Sequence, residues 1–583
     1  MRKSQTRRSL RTYLAQLFDD PATIKVLVSD AGLDPVTINF NGSVVAIWQN
    51  VLIEAEVQRK LEPLIAQAGQ WFPNHAAALN QRYVAYSAAD PDLPSPKQWV
   101  WAVGTVLSLA LVAFGGWQYW TYIKPMPSSG SFNIAVSQVP IMTRNGKRTE
   151  NCVSKKISQW IYADVIAPTD VTAQELLTDS RGPAAIGVIF AADPAARHAK
   201  VATIAEQIHA TILVYGVIYA DGNQYEFLPE FYVNPAENAF SYASEIAGAN
   251  RLGEAVSFTL PPGITCEQIN VRELQQSNLR LVDERVRALT IVVSGLRNLY
   301  AGEFDLAYAR FAQGTRLSSA LAPDHSQAVF QLLMGASKLR AFEPTDAAST
   351  ADNNRNLARQ AFSHTVQLDP GYSRGYLGLG YLALAEAQLY DQLGNPMPAI
   401  NPERLLTASQ WFTAALTATD KPVGAYIVEK AGLGMGTAHL LGFIYGIPTW
   451  SEEKAVAEFQ NIITQYEKTR SPSFIMLAAQ AQERLAHLAE FHADWSGMAE
   501  RCQAAIDLLT EPTMMADNKW IARHWACVAL AKEMQGDLCQ AVNDYALAQH
   551  YGAGLLRAQE LTTWQQHSER LQRSLQGASC NEP

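Results

Sequence analysis

Residues 99–123 read WVWAVGTVLSLALVAFGGWQYWTYI. The stretch holds no Asp, Glu, Lys or Arg, and its apolar centre runs from Val100 to Phe114. Trp99 and Trp101 stand at one end, and Trp117, Tyr119, Trp120 and Tyr122 at the other, with Lys97 and Lys124 beyond them. A hydrocarbon core of about 30 Å needs about 20 helical residues, and amphipathic rings favour its two interfaces. The pattern predicts one transmembrane helix over 99–123 anchored by those six aromatics, with a short piece of chain on one side and a long piece on the other.

Working outward, the expected organisation is a multidomain chain. A small all-α bundle occupies 1–90, a linker 91–98, the span 99–123 and a second linker 124–131. An α/β mixed-sheet domain follows at 132–265, then an α-solenoid of helical hairpins at 280–575 and a tail at 576–583. The 583 residues allow several domains, and 17% charged with 48% hydrophobic residues is an ordinary globular balance. The net charge of −9 is uneven: residues 1–97 carry ten basic and nine acidic residues, so the acidity lies beyond them. Duplex binding relies on cations against phosphates, so nucleic acid is excluded as the main partner. The basic start (Arg2, Lys3, Arg7, Arg8, Arg11) has no apolar core behind it, and the span is expected to serve as an uncleaved anchor. The charge bias puts the amino terminus in the cytoplasm and residues 124–583 outside it. All six cysteines follow the span, which suits an oxidising compartment there.

In the first piece, Asp20-Pro21 and Asn41-Gly-Ser43 start helices, and Val45, Trp48, Leu52 and Ala55 recur at helical spacing. About five short helices in 80 residues are expected. The turn Asp30-Ala-Gly-Leu33 precedes a helix carrying Trp48, Glu54, Ala55 and Arg59. Leu61, Leu64 and the Phe72-Pro-Asn74 element follow in order. These residues resemble effector-associated domains of the first type, death-fold-like helical adaptors of bacterial signalling and conflict systems. The resemblance implies docking onto a similar domain of a cytoplasmic protein, not chemistry. Trp48, Glu54, Arg59 and Lys60 are the candidate adaptor interface.

In the middle piece, Phe132–Val139 alternates and ends at Pro140, and a helix from Asn151 places Val153, Ile157, Trp160 and Ile161 on one face. Ala184–Phe190 reads as a second strand, Asp193-Pro194 caps a helix to His209, and Thr211–Tyr219 is a third strand. Asp221-Gly222 turns into Tyr225–Val233, a hairpin whose Pro229 predicts an edge or a bulge. Ala210–Gly216 and Pro229–Val233 loosely resemble α/β modules of bacterial envelope proteins, such as the curli-assembly lipoprotein and the amino-terminal module of the Tol translocation protein. No phosphate-cradling glycine loop is present, and Asp164, Asp221 and Glu230 read as loop and turn carboxylates without a sequence-adjacent partner.

The last piece repeats an alanine with an aromatic four residues on: Ala307/Phe311, Ala358/Phe362, Ala408/Phe412, Ala455/Phe459 and Ala541/Tyr545, with Met498 and Cys502 in the gap. Together with Leu368-Asp-Pro-Gly-Tyr372 this resembles a degenerate tetratricopeptide array, in which alanine lets paired helices approach and the aromatic fills the gap to the next pair. Such arrays hold proteins or peptides. Glu343–Asn356 is expected to be an exposed insertion, Gly432-Leu-Gly-Met-Gly436 a close-packed helix, and His487 and His492 surface residues. Cys152 and Cys266 bracket the middle domain, and joining them would contribute up to about 4–5 kcal/mol in the chain-entropy model. Cys502, Cys527, Cys539 and Cys580 allow three pairings, and unpaired small core cysteines are the alternative. No catalytic, cofactor or metal site is predicted. The expected role is a single-pass membrane signalling adaptor, not an enzyme. It would take an extracytoplasmic protein or peptide on the array and recruit a cytoplasmic effector; the alternative is an envelope scaffold without signalling.

Overall fold

The computed structural model describes residues 10–15, 17–18, 20–40, 44–58 and 60–87, then 132–143, 146–149, 152–166, 178–222, 224–235, 244–259, 280–319, 325–341, 348–390, 396–510, 518–553, 556 and 558–575. The chain divides into two compact units, Met1–Trp120 and Thr121–Pro583. The stretch 99–123, with Trp99, Trp101, Trp117, Tyr119, Trp120 and Tyr122, lies outside the described residues, as do the linkers flanking it. Among the described residues no helix is long and apolar enough to cross a membrane. Those that reach 21 residues carry charges throughout; Arg280–Tyr300 alone holds Asp283, Glu284, Arg285, Arg287 and Arg297. The expected single-pass architecture is therefore corrected to a mostly helical protein with one mixed-sheet domain. The placement of two parts in different compartments falls with it.

The first unit is helical at 10–15, then forms α1 (Pro21–Asp30), α2 (Val44–Val57), α3 (Leu61–Trp71) and α4 (Ala76–Ser87). Asp20 caps α1 by accepting from the Thr23 amide at 2.8 Å, with Pro21 at the first helical position. The helix ends in a tight reversal: the Leu33 amide donates to the Val28 carbonyl, and Gly32 takes φ +75°, a left-handed value that favours glycine. The Asp30–Leu33 turn is thus a helix stop that sends Leu33 into the core. That core gathers Leu14, Phe18, Leu27, Trp48, Leu52 and Leu64.

The second unit opens with β1 (Phe132–Val136), β2 (Ile141–Thr143), β3 (Arg148–Thr149), α5 (Cys152–Ile166) and β4 (Thr178–Arg181). Next come α6 (Pro194–Gln207), β5 (Ile212–Asp221), β6 (Gln224–Val233), β7 (Gly248–Arg251) and β8 (Val256–Thr259). The strands make one mixed sheet. β1 and β2 lie end to end, parallel to β5; β4 runs parallel to β1; β6 is antiparallel to β5; and β7 and β8 lie end to end along β6. Alternation sorts the faces. Ile134, Ile212, Val214 and Phe231 meet α5, while Ala135, Leu213, Tyr215 and Tyr232 meet α6.

One strand expectation fails here, and of the two offered for Pro229 the edge is excluded. Ala184–Phe190 is not a strand: Pro183–Ile186 forms one helical turn closed by Gly187 at φ +73°, and Val188 makes a lone bridge to Gln138. A short apolar run does not by itself separate strand from buried turn. Pro229 does not mark an edge either, since β6 is paired on both sides. Its carbonyl accepts from Leu252 between β7 and β8, so its missing N–H falls in the gap where no partner strand is present.

Among the described residues six helical hairpins follow, the first three being α7 (Arg280–Tyr300) with α8 (Phe304–Ser319), α9 (His325–Arg340) with α10 (Ala348–Leu368), and α11 (Ser373–Ala387) with α12 (Pro402–Thr417). A two-stranded ribbon, β9 (Gln388–Tyr390) and β10 (Pro396–Ile400), interrupts the third pair. Then come α13 (Ile427–Ile444) with α14 (Glu452–Thr469), α15 (Pro472–Phe491) with α16 (Trp495–Leu509), α17 (Asn518–Gln535) with α18 (Leu538–Gly552), and a final α19 (Ala558–Ser574). Each alanine–aromatic pair sits on the second helix of a hairpin and is buried. The aromatic meets glycines of the first helices: Phe362 lies against Gly335 and Gly378, and Phe412 against Gly380 and Gly434. Gly436 faces Phe459, so the 432–436 glycine run is a close-packed helical seam. Glu343–Asn356 is not wholly an exposed insertion, because α10 begins at Ala348 and buries Asn354 against Lys338.

The α/β domain and the hairpins share one core. Sheet residues Phe132, Phe227 and Phe231 belong to the same buried cluster as Val286, Leu296, Phe330 and Phe362. Further contacts come from first helices and the loop before α13: the Ala249 amide donates to Val423 at 2.9 Å, Arg340 pairs with buried Glu245 at 3.1 Å, and Ser473 donates to Glu206. At these hairpins the first helices of the array pack against the protein's own α/β domain.

Candidate functional site

The proposed adaptor residues separate on burial. Trp48 is fully buried, its ring 5.6 Å from Phe18, which in turn meets Phe72 edge-on at 4.9 Å. It holds the bundle together and presents no surface. Glu54 is half-buried and accepts from Gln58 at 2.8 Å, Lys60 is exposed at the start of α3, and Arg59 lies outside the described residues. The sequence reading missed the outer side of α2. Ile53 and Val57, one turn apart, are 41% and 72% exposed, and Val45 on the same helix is 39% exposed. The signal was present, because the run Val44–Val57 is apolar on more than the single stripe a core needs. A groove of about 630 Å³ lies between α3 and α4, floored by Ile65, Gly69, Pro73 and Ala76 and rimmed by Glu62 and Asn80.

In the second unit, Glu230 is not a lone carboxylate. Arg197 grips it with two nitrogens, Nε to Oε2 at 2.9 Å and Nη2 to Oε1 at 3.1 Å, and His198 Nε2 lies 3.0 Å from Oε1. Both Arg197 and Glu230 are at most 2% exposed. Burial alone would raise the Glu230 pKa, but the hydrogen bonds from His198 and Arg197 outweigh it and hold it below the usual value. Asp164 accepts from the Trp160 indole at 3.0 Å, and burial raises its pKa. Asp221 closes the β5–β6 hairpin opposite Gln224.

Arg374, fully buried, ties the array to the sheet by donating to Asn250 and to the Ala247 carbonyl. Nearby Lys430 is buried, and desolvation with the Arg374 charge lowers its pKa to about 7. Among the cysteines, Cys502 and Cys527 are joined across α16 and α17, with Cα atoms 6.2 Å apart. Cys152 and Cys539 are each disulfide-bonded, while Cys266 and Cys580 lie outside the described residues. His487 and His492 are exposed; the first lies 3.3 Å from Glu490 and the second 3.0 Å from Glu452. Among the described residues no group of three or more His, Cys, Asp or Glu is placed to hold a metal ion.

These features define a compact helical domain with apolar side chains left at its surface, and a separate α/β–helical-hairpin module held by buried ion pairs. A family model described as effector-associated domain 1 matches residues 1–83, most of that helical bundle. The match supports an effector-associated signalling role for the chain. No curated protein matches it.

Proposed function

We propose that the chain is a signalling adaptor. Its first unit docks onto a similar helical domain of an effector, and its second unit, read as an α/β domain fused to a tetratricopeptide-like array, receives the input. The observation that carries this reading is the family match over 1–83, joined to the exposed Ile53 and Val57 on α2. Exposed aliphatic residues in helical register lose hydration on docking, at about 25 cal/mol per Å² of apolar surface buried. No chemistry is assigned to either unit.

The test is co-purification of the full chain with its effector. The wild-type chain should recover a protein bearing a similar domain. The Ile53→Glu/Val57→Glu variant should lose it while keeping the far-ultraviolet circular dichroism of the wild type. Recovery of no such protein by the wild type, or equal recovery by the variant, would count against the reading.

A further inference from the structure

A cleft of about 530 Å³ opens within the second unit, between the α/β domain and the helical hairpins. Its floor is the α6 face of the sheet, with Tyr219, Glu230 and Arg251. The first turn of α6 makes one wall, and the loops around Asp369 and Lys421 make the other. Ligand pockets of this size favour such junctions, where a few polar groups converge over an apolar lining.

The charges in it are unequally committed. Glu230 is held by Arg197 and His198. Asp369 is held by His325 Nδ1 at 2.7 Å and by the Gly371 amide at 3.0 Å. The cations keep donors in reserve. Arg197 faces Glu230 through two nitrogens, and its third, Nη1, has no hydrogen-bond partner although the side chain is 1% exposed. Arg251 pairs through Nη2 with Glu254 at the surface, and Lys421 is exposed. Asp420 and Lys421 are neighbours in sequence and both line the cleft. A buried guanidinium nitrogen with no acceptor is costly, and an oxyanion is the acceptor that relieves it best.

We propose that this cleft binds a small molecule carrying an oxyanion, carboxylate or phosphate, engaged by Arg251 and Lys421 with Arg197 behind them. The ligand touches the α/β domain and the array at once, bridging a junction that their shared core already holds. The site extends the adaptor reading by supplying its input. It is tested without any effector, so either idea fails alone.

The experiment is isothermal titration calorimetry of the full chain with sodium phosphate and, separately, sodium citrate, at ionic strength held constant with chloride. Saturable binding of at least one anion is expected, and which one binds distinguishes phosphate from carboxylate. The Arg251→Gln/Lys421→Gln variant should bind at least about tenfold more weakly, the equivalent of one charge-assisted hydrogen bond. Lys468→Gln, on the exposed side of α14, should bind as the wild type does. Saturation by neither anion, or equal affinity in the cleft variant, overturns the proposal.

Discussion

Replacing Gly434 by alanine separates two explanations for the glycines of the array. Gly434 lies inside α13, where alanine is intrinsically favoured over glycine by about 0.8–1.0 kcal/mol. If the glycine had no packing role, Gly434→Ala would stabilise the protein by that amount. The structure predicts the opposite sign. A Cβ at this position falls inside van der Waals contact with three ring atoms of Phe412, which is fully buried and also lies against Gly380. At Gly380 the same construction comes within 2.5 Å of the ring, so the phenyl group has no room to retreat. Overpacking of this kind costs about 1–3 kcal/mol, and the rigid surroundings of Phe412 put it in the upper half of that range, so after the propensity gain a net loss of about 1–2 kcal/mol remains. Phe412→Leu alone should cost about 1–2 kcal/mol through lost contact. On that background Gly434→Ala should become neutral or stabilising, because the shorter side chain vacates the space. Urea unfolding followed by circular dichroism gives the midpoints, and hydrogen exchange of α12 and α13 localises the effect if unfolding is not two-state. A higher midpoint for the single alanine variant, or no sign change on the leucine background, would refute the close-packing argument.

Three further outcomes are expected. Glu230→Gln should destabilise the second unit by about 3–5 kcal/mol, because Arg197 is left buried without its counter-charge. Since the folded pKa of Glu230 lies below the ordinary 4.5, its contribution is whole above 4.5 and is lost as the pH falls through the folded value. An acid titration of wild type and variant by near-ultraviolet circular dichroism should therefore converge at low pH. Lys430 has the same linkage sign at higher pH. Its folded pKa of about 7 lies below the ordinary 10.5, so stability rises from about pH 7 to 10.5 as the folded state sheds the proton first. Lys430→Met should flatten that rise and raise the thermal midpoint at pH 6, where the wild type buries a charge. For the cross-link between Cys502 and Cys527, a separation of 25 residues corresponds to about 3.5 kcal/mol in the chain-entropy model. Double substitution by serine should lower the urea midpoint of the last hairpins accordingly, and an unchanged midpoint would remove the cross-link from the account of stability.

The second unit is a single structural module because its two substructures share one core. The α5 face of the sheet and the first helices of the array bury the same cluster, and Arg374 spans the junction with no exposure to water. A buried guanidinium needs fixed acceptors, so Asn250 and Ala247 hold the sheet in register with α11. Sliding one part along the other would break those bonds inside a dry interface.

Local chemistry was legible in the residues alone. Asp20-Pro21 and Asp193-Pro194 start helices because capping uses atoms within three residues. The hairpin at Asp221-Gly222 and the buried alanine–aromatic pairs follow likewise from spacing. What lay beyond reach was every partnership across long sequence distance: Arg197 with Glu230, Cys502 with Cys527, Phe412 between two glycines, and the array closing on its own α/β domain. Periodicity shows which side of a helix is apolar but not what covers it. For that reason Trp48 looked available and is buried, while Ile53 and Val57, which the spacing did not single out, stand exposed. The covering surface comes from elsewhere in the chain, and only the three-dimensional packing brings it there.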